Sequence, residues 1–188
     1  MTAPFLRAGE PLVVVPYDAG WPLLVREEAG RLRQALGAVA RRIDHIGSTA
    51  VPGLAAKPIT DIQISVAGFE PLAAYRQPLE ALGYIFRADN PDRTKRYFRE
   101  PPGTRRTHIH IRGHGSWSEQ FALLFRDYLR CHPRQAEEYG ALKLALVEQC
   151  THDRAGFTEA KGPCIWTIMQ QATGWSQQTG WEPGPSAA

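Results

Sequence analysis

Two short stretches carry residue types whose spacing suits chemistry on phosphates. In Ile43-Asp44-His45-Ile46-Gly47-Ser48 an apolar strand runs into a Gly-Ser turn, and the following strand opens with Asp61-Ile62-Gln63. A glycine lets the backbone approach a phosphate closely, and the Ser48 hydroxyl with neighbouring N–H groups can hydrogen-bond its oxygens. Asp61 and Gln63, two apart on a strand, face one side of the sheet, toward where a metal bound to that phosphate would lie. A Gly-Ser turn with an acidic residue nearby is also ordinary loop structure, and both alternatives stand at this point. The second stretch is Thr107-His108-Ile109-His110, whose two histidines share one strand face. If that face also carries Asp61 and Gln63, the four side chains form an Asp/His metal site or a general-base site. The competing reading has both imidazoles bonded to backbone or acidic groups on a half-exposed sheet. A histidine-triad hydrolase is excluded by Arg112 in the third place, and a two-histidine phosphoesterase by the lack of a second H-x-T/S element.

Charge points to the same region. The chain of 188 residues has a net charge of only +3, but seven of its 22 Lys and Arg fall between Arg93 and Arg112 against one acid, Glu100. That stretch therefore carries +6 and the remainder −3, an anion-binding surface or else a hairpin coated in solvated arginines. The former is favoured because His108 and His110 lie in the same hairpin, and a small phosphorylated ligand fits better than a nucleic-acid polymer.

These residues need a sheet to hold them. Strands are expected at 12–15, 41–46, 59–66, 84–87, 95–99 and 105–112, the last two joined by the Pro101-Pro102-Gly103-Thr104 turn. Helices are expected at 21–36, at 69–82 with an interruption at Pro78, from Ser116 to near Arg130, from Pro133 to about Gln149, and over 156–172. The fold class is α+β, with a mixed or antiparallel sheet of about five strands, a covering helix and a C-terminal helical group. Residues 1–174 form one domain and 175–188 a flexible tail. Trp117, Phe121, Phe125 and Tyr128 recur at helical spacing as a packing stripe. Arg126 beside Asp127 is expected in a surface or interdomain ion pair, and Arg105 and Arg106 as exposed. Apolar runs such as 12–15 are far shorter than the roughly 18 residues a membrane span needs. The opening MTAPFLRAGEP lacks the layout of a signal peptide, so a cytoplasmic location is expected. Cys131, Cys150 and Cys164 lack a CxxC pairing and offer neither a disulfide framework nor a zinc knuckle. No GxxxxGK[ST] loop is present.

The run HIGSTAVPGLAAKPITDI resembles the signature of the GrpB protein family, assigned to the DNA polymerase β-like nucleotidyltransferase superfamily. KRYFRE, THIHIR, FRDYLRCHP, EYGALK and FTEAKGP match it as well, so the resemblance runs from Val13 to about Ala172. It implies that Gly47 and Ser48 hold nucleotide phosphates and that Asp61 binds divalent metal, Mg²⁺ or Mn²⁺. The family-like motifs place Lys57 and Arg96 around the pocket, and Lys143 and Lys161 at positions that would reach a triphosphate. Gln63 departs from the superfamily pattern, standing where a second carboxylate is expected, and His108 and His110 stand where a third would be. A carboxamide lends a cation no charge, and histidine suits softer ions such as Mn²⁺, Zn²⁺ or Ni²⁺. The function implied is metal-dependent nucleotidyl transfer from a nucleoside triphosphate to a small-molecule acceptor. Asp61 and His110 would be catalytic, and Asp61, Gln63, His108 and His110 the metal set. Two alternatives remain: a non-catalytic module binding a nucleotide or phosphometabolite, as in GrpB-like domains appended to some dephospho-CoA kinases, and a metal-dependent phosphohydrolase using Asp61, His108 and His110.

Overall fold

Alternating and helically spaced apolar residues fold into one sheet and two helical layers in a computed structural model that describes residues 11–188. The first ten residues, which hold most of the stretch lacking a signal pattern, lie outside the described residues. Helix α1 (Trp21–Leu36) buries Val25, Ala29, Leu32 and Leu36, one stripe at helical spacing, and ends at Gly37, whose φ of 51° suits glycine. The strands are β1 (Arg42–Ile46), β2 (Thr60–Val66), β3 (Ile85–Phe86), β4 (Arg96–Arg99) and β5 (Thr107–Gly113). Their order is β1-β2-β5-β4-β3, with β2 and β5 parallel and every other pair antiparallel. The α+β class with a five-stranded mixed sheet is thus established.

Strand alternation gives this sheet two unlike faces. Ile62, Ile64, Ile109, Ile111 and Phe98 are fully buried on one of them, against α1 and α2 (Ala73–Ala81), which contributes Tyr75 and Leu79. Truncating a side chain such as Phe98 in a core of this kind typically costs about 3–5 kcal/mol. The opposite face carries Asp61, Gln63 and Ser65 beside His108, His110 and Arg112. In a second helical group α3 (Trp117–Cys131), α4 (Pro133–Gln149) and, beyond the short α5 (Arg154–Ala160), α6 (Gly162–Thr179) pack around Tyr128, Leu129, Tyr139, Ile168 and Met169, while α5 buries Phe157 in a separate cluster with Leu12 and Leu146. Ser116 caps α3 by accepting the Glu119 N–H, as the capping-box spacing predicts.

Several elements differ from expectation for local reasons. The helix expected over 156–172 is two helices, because Pro163 has no N–H and restricts Gly162, while Asp153 caps α5 by accepting the Gly156 N–H at 2.8 Å. Residues 12–15 form no strand of their own; Val15 alone bridges to Ala56. The segment expected as a flexible tail continues α6 to Thr179 and then lies along β1, the Ala187 N–H donating to the Ile43 carbonyl at 2.8 Å. Covering β1 removes an open sheet edge. Arg126 is buried rather than superficial, pairing with Asp127 at 2.7 Å and Asp44 at 3.6 Å and donating to the His45 carbonyl. Phe121, Phe125 and Tyr128 pack into the second core, but Trp117 at the head of their stripe stays exposed against Trp166. Among the described residues no helix is long and apolar enough to cross a membrane.

Candidate functional site

The parallel pairing of β2 with β5 sets Asp61 opposite His108 and Gln63 opposite His110. The two histidines therefore converge on one carboxylate. His110 Nε2 lies 3.0 Å and His108 Nδ1 3.4 Å from Asp61 Oδ1, and a ligand atom from each residue fits within 4.8 Å of the others. Tyr97 of β4 packs its ring 5.3 Å from His110 and 5.4 Å from His108 and so limits how either imidazole turns. Burial pushes the His110 imidazole down to about 4, against the raising effect of Asp61. Burial alone would raise the Asp61 carboxyl, but the hydrogen bonds and charges of His108 and His110 outweigh it and hold the group below the usual carboxylate range. An ionised carboxylate beside a neutral imidazole is the protonation state a metal ligand set requires. His108 Nε2 and His110 Nδ1 are buried without a hydrogen-bond partner among the described residues.

Gly47 closes on this cluster from the end of β1. Its φ is 72°, and a Cβ there would stand 2.8 Å from Asp61 Oδ2. Both the turn and the close approach thus require glycine. Gly47→Ala is expected to displace Asp61 and cost about 1–3 kcal/mol, read as a lowered urea midpoint with an unchanged slope.

A cavity of about 470 Å³ opens beside Asp61 and His108, with Ser48 and the cations Lys57, Lys143, Lys161, Arg99, Arg106 and Arg154 in its wall. Lys143 reaches from α4, donating to Ser48 Oγ at 2.9 Å and to the Ala55 carbonyl. Lys57 and Lys161 both lie over the buried Phe157 ring, at 4.2 Å and 4.7 Å from its centroid. Burial, followed by the charges of the neighbouring cations, pushes Lys143 down to about 7 and Lys57 to about 8; burial also lowers Lys161. Ammonium groups crowded in this way favour an anion among them.

The structure brings Gly47, Ser48, Lys57, Asp61, His108, His110, Lys143 and Lys161 to one side of the sheet. Gln63 shares the face but lies deeper, fully buried beneath α3, its Nε2 donating to the Glu119 carbonyl at 3.4 Å. Arg96 is not brought there. Alternation along β4 sends it to the apolar face, where its guanidinium lies 4.3 Å from the Phe69 ring, and turns Arg99 toward the cavity instead. Arg96→Gln is accordingly expected to leave phosphate-ligand affinity within about twofold, as calorimetry can measure.

Arg106, expected as exposed, is half-buried in the cavity wall and donates to Glu100 at 2.7 Å. Arg154 lies outside every motif, and Phe157 opens the FTEAKGP run without being singled out by it; with Lys161 they recur three and four residues apart, a helical spacing that marks their common face. His45 lies outside this cavity, its Nε2 2.9 Å from Thr49 Oγ1, in a bond that pins the turn after β1.

Fold and site together define an α+β protein with a carboxylate–histidine cluster and a cationic cavity on one face of a mixed sheet. The model of the GrpB protein family matches residues 11–171, and the chain belongs to that family. It is 40% identical over 163 residues to the UPF0157 protein PA4798 of Pseudomonas aeruginosa, an alignment covering 85% of this chain and 66% of that protein. It is 33% identical over 201 residues to a protein named dephospho-CoA kinase in Mycobacterium bovis, covering 94% of this chain and 49% of that one. The chain thus spans about half the length of the mycobacterial relative and about two thirds of the Pseudomonas one. A solved structure, conserved protein GrpB from Enterococcus faecalis, superposes with a TM-score of 0.78 at 33% identity, over 88% of this chain and 99% of that one.

Proposed function

We propose that this chain binds a nucleoside triphosphate together with a divalent metal ion and transfers its nucleotidyl group to a small-molecule acceptor. The observation that carries this reading is the adjacency of the Asp61–His108–His110 cluster to a cavity walled by Lys57, Lys143 and Lys161. A cation site and a polyanion site on one cavity are what phosphoryl chemistry needs, since catalysis there is mostly positioning and charge stabilisation.

Asp61, His108 and His110 would hold the metal, which supplies charge neutralisation on the phosphate oxygens when bound. Lys143 and Lys57, in their ammonium forms, bind and orient the triphosphate, and Ser48, already in contact with Lys143, adds a hydroxyl donor. The depressed basicity of His110 supports a ligand role over that of a general base at neutral pH. Gln63 stays behind the ligand set, its amide turned to α3.

A second reading is a module that binds a nucleotide or phosphometabolite without chemistry. Gln63 in place of a second carboxylate favours it, as does the half-length match to a protein named dephospho-CoA kinase. Incubation with α- and γ-labelled nucleoside triphosphates and Mn²⁺ separates the possibilities. Nucleotidyl transfer releases pyrophosphate, whereas a phosphohydrolase releases inorganic phosphate. Binding with neither product supports the module and contradicts transfer.

A further inference from the structure

The other buried acids of this sheet are held by protein groups and lie outside the Asp61 cluster, although Glu119 uses one oxygen only and its Oε1 is buried without a hydrogen-bond partner among the described residues. Asp44, which faces Gln63 across β1 and β2, is fully buried and accepts from Arg42 at 3.1 Å and 3.0 Å. Glu119, also fully buried, accepts the Gly115 N–H at 2.5 Å and the Gln120 amide at 3.0 Å. Glu100 is held by Arg106 and by the Thr107 N–H. Gln63 offers no charge. Among the described residues, the Asp61, His108 and His110 group is the one cluster of three His, Cys, Asp or Glu able to surround an ion.

Two-ion sites for phosphoryl transfer hold their cations about 3.5–4 Å apart between shared carboxylates. Here one carboxylate is available, and the space beside it is walled by ammonium groups that would repel a second cation. Two imidazoles and one carboxylate also form a donor set that transition ions favour, whereas Mg²⁺ prefers oxygen.

We propose that the site takes a single divalent ion of the transition class, held by Asp61, His108 and His110, and that Lys57, Lys143 and Lys161 supply the positive charge that a second ion supplies in two-ion sites. This rests on the nucleotide reading of the same cavity. Lys57 and Lys161 are suited to it because both are held over the buried Phe157 ring, so their charge is positioned ahead of a ligand's arrival.

The test is Mn²⁺ binding to the full chain followed by electron paramagnetic resonance, alone and with a non-hydrolysable nucleoside triphosphate analogue. The expected result is one bound Mn²⁺ per chain in both cases, with no exchange coupling between ions, and Mg²⁺ needed in at least about tenfold excess to displace half of it. Two coupled Mn²⁺ ions in the analogue complex would overturn the proposal, as would displacement by an equal concentration of Mg²⁺. His110→Gln, checked by circular dichroism to be folded, should lose the bound ion; retention at wild-type affinity contradicts the ligand assignment. Lys161→Met should keep one Mn²⁺ and bind the analogue at least about tenfold more weakly. Mn²⁺ binding with no analogue binding in the wild type would sink the nucleotide reading and, with it, the assigned lysine role. Two ions with the analogue bound would leave the nucleotide reading standing and sink the single-ion inference.

Discussion

An Asp61→Ala variant is expected to lose divalent-metal affinity by more than the roughly 10–100-fold that removal of a ligand's hydrogen-bonding partner usually costs. Asp61 is the carboxylate of the cluster and also the group that orients both imidazoles, at 3.0 Å and 3.4 Å. Its loss therefore removes the one carboxylate of the cluster and leaves both imidazoles without the group that orients them. Mn²⁺ titration would show the effect directly, and metal-dependent nucleotide binding should fall with it. Asp61→Asn separates charge from shape: it preserves the volume beside Gly47, so its fold should match wild type while its metal affinity follows the alanine variant. Equal Mn²⁺ affinity in wild type and Asp61→Ala would exclude the metal role.

The second large effect belongs to Lys143. This buried lysine sits at about 7 in the fold against 10.5 when solvated. Between those values the unfolded chain binds a proton that the folded chain does not, so apo stability should rise with pH from about 7 toward 10.5 and be flat below. Anion affinity should run the other way, because phosphate oxygens bind the ammonium form; it declines as pH rises through 7 and, for Lys57, through 8. Lys143→Met keeps length and apolar bulk but discards the charge. It is expected to melt higher than wild type at pH 6, to show a weaker rise of stability with pH, and to bind pyrophosphate roughly 10–150-fold more weakly, the equivalent of about 1.5–3 kcal/mol for a charge-assisted hydrogen bond. Melting curves across pH with and without pyrophosphate read both effects. A variant that melts lower at pH 6 and binds pyrophosphate as wild type does would make Lys143 a structural latch only.

Residue alternation makes the chemistry-bearing face legible in the amino-acid sequence itself. Asp61 and Gln63, like His108 and His110, have to share a side of their own strands. Whether the two sides coincide depends on β2 and β5 pairing in parallel in this register, a tertiary fact that no local pattern specifies. The same alternation, applied to β4, separates Arg96 from Arg99; the family-like KRYFRE motif singles out the first, and the strand turns the second toward the cavity. Motifs recover Lys143 and Lys161 from helices where lysines are usually solvated. Arg154 escapes, and Phe157 is passed over although it opens FTEAKGP, because a seven-residue helix broken at Gly162-Pro163 merges in the periodicity with its successor, which blurs their common face. Burial of Arg126 and the lie of residues 184–188 along β1 depend on contacts between distant parts of the chain, 143 residues apart in the second case, beyond the reach of periodicity.

The proposed function requires one cavity to join a metal held by Asp61, His108 and His110 to a nucleotide held by lysines. Isothermal titration of the full chain with each nucleoside triphosphate, in Mn²⁺ and in chelator, probes that junction without intermediaries. Saturable binding is expected in Mn²⁺ and should be at least about tenfold weaker in chelator, with Asp61→Ala showing the chelator-level affinity under both conditions. Binding of equal strength with and without metal, or no binding of any nucleotide in Mn²⁺, would show that the cavity does not join the two.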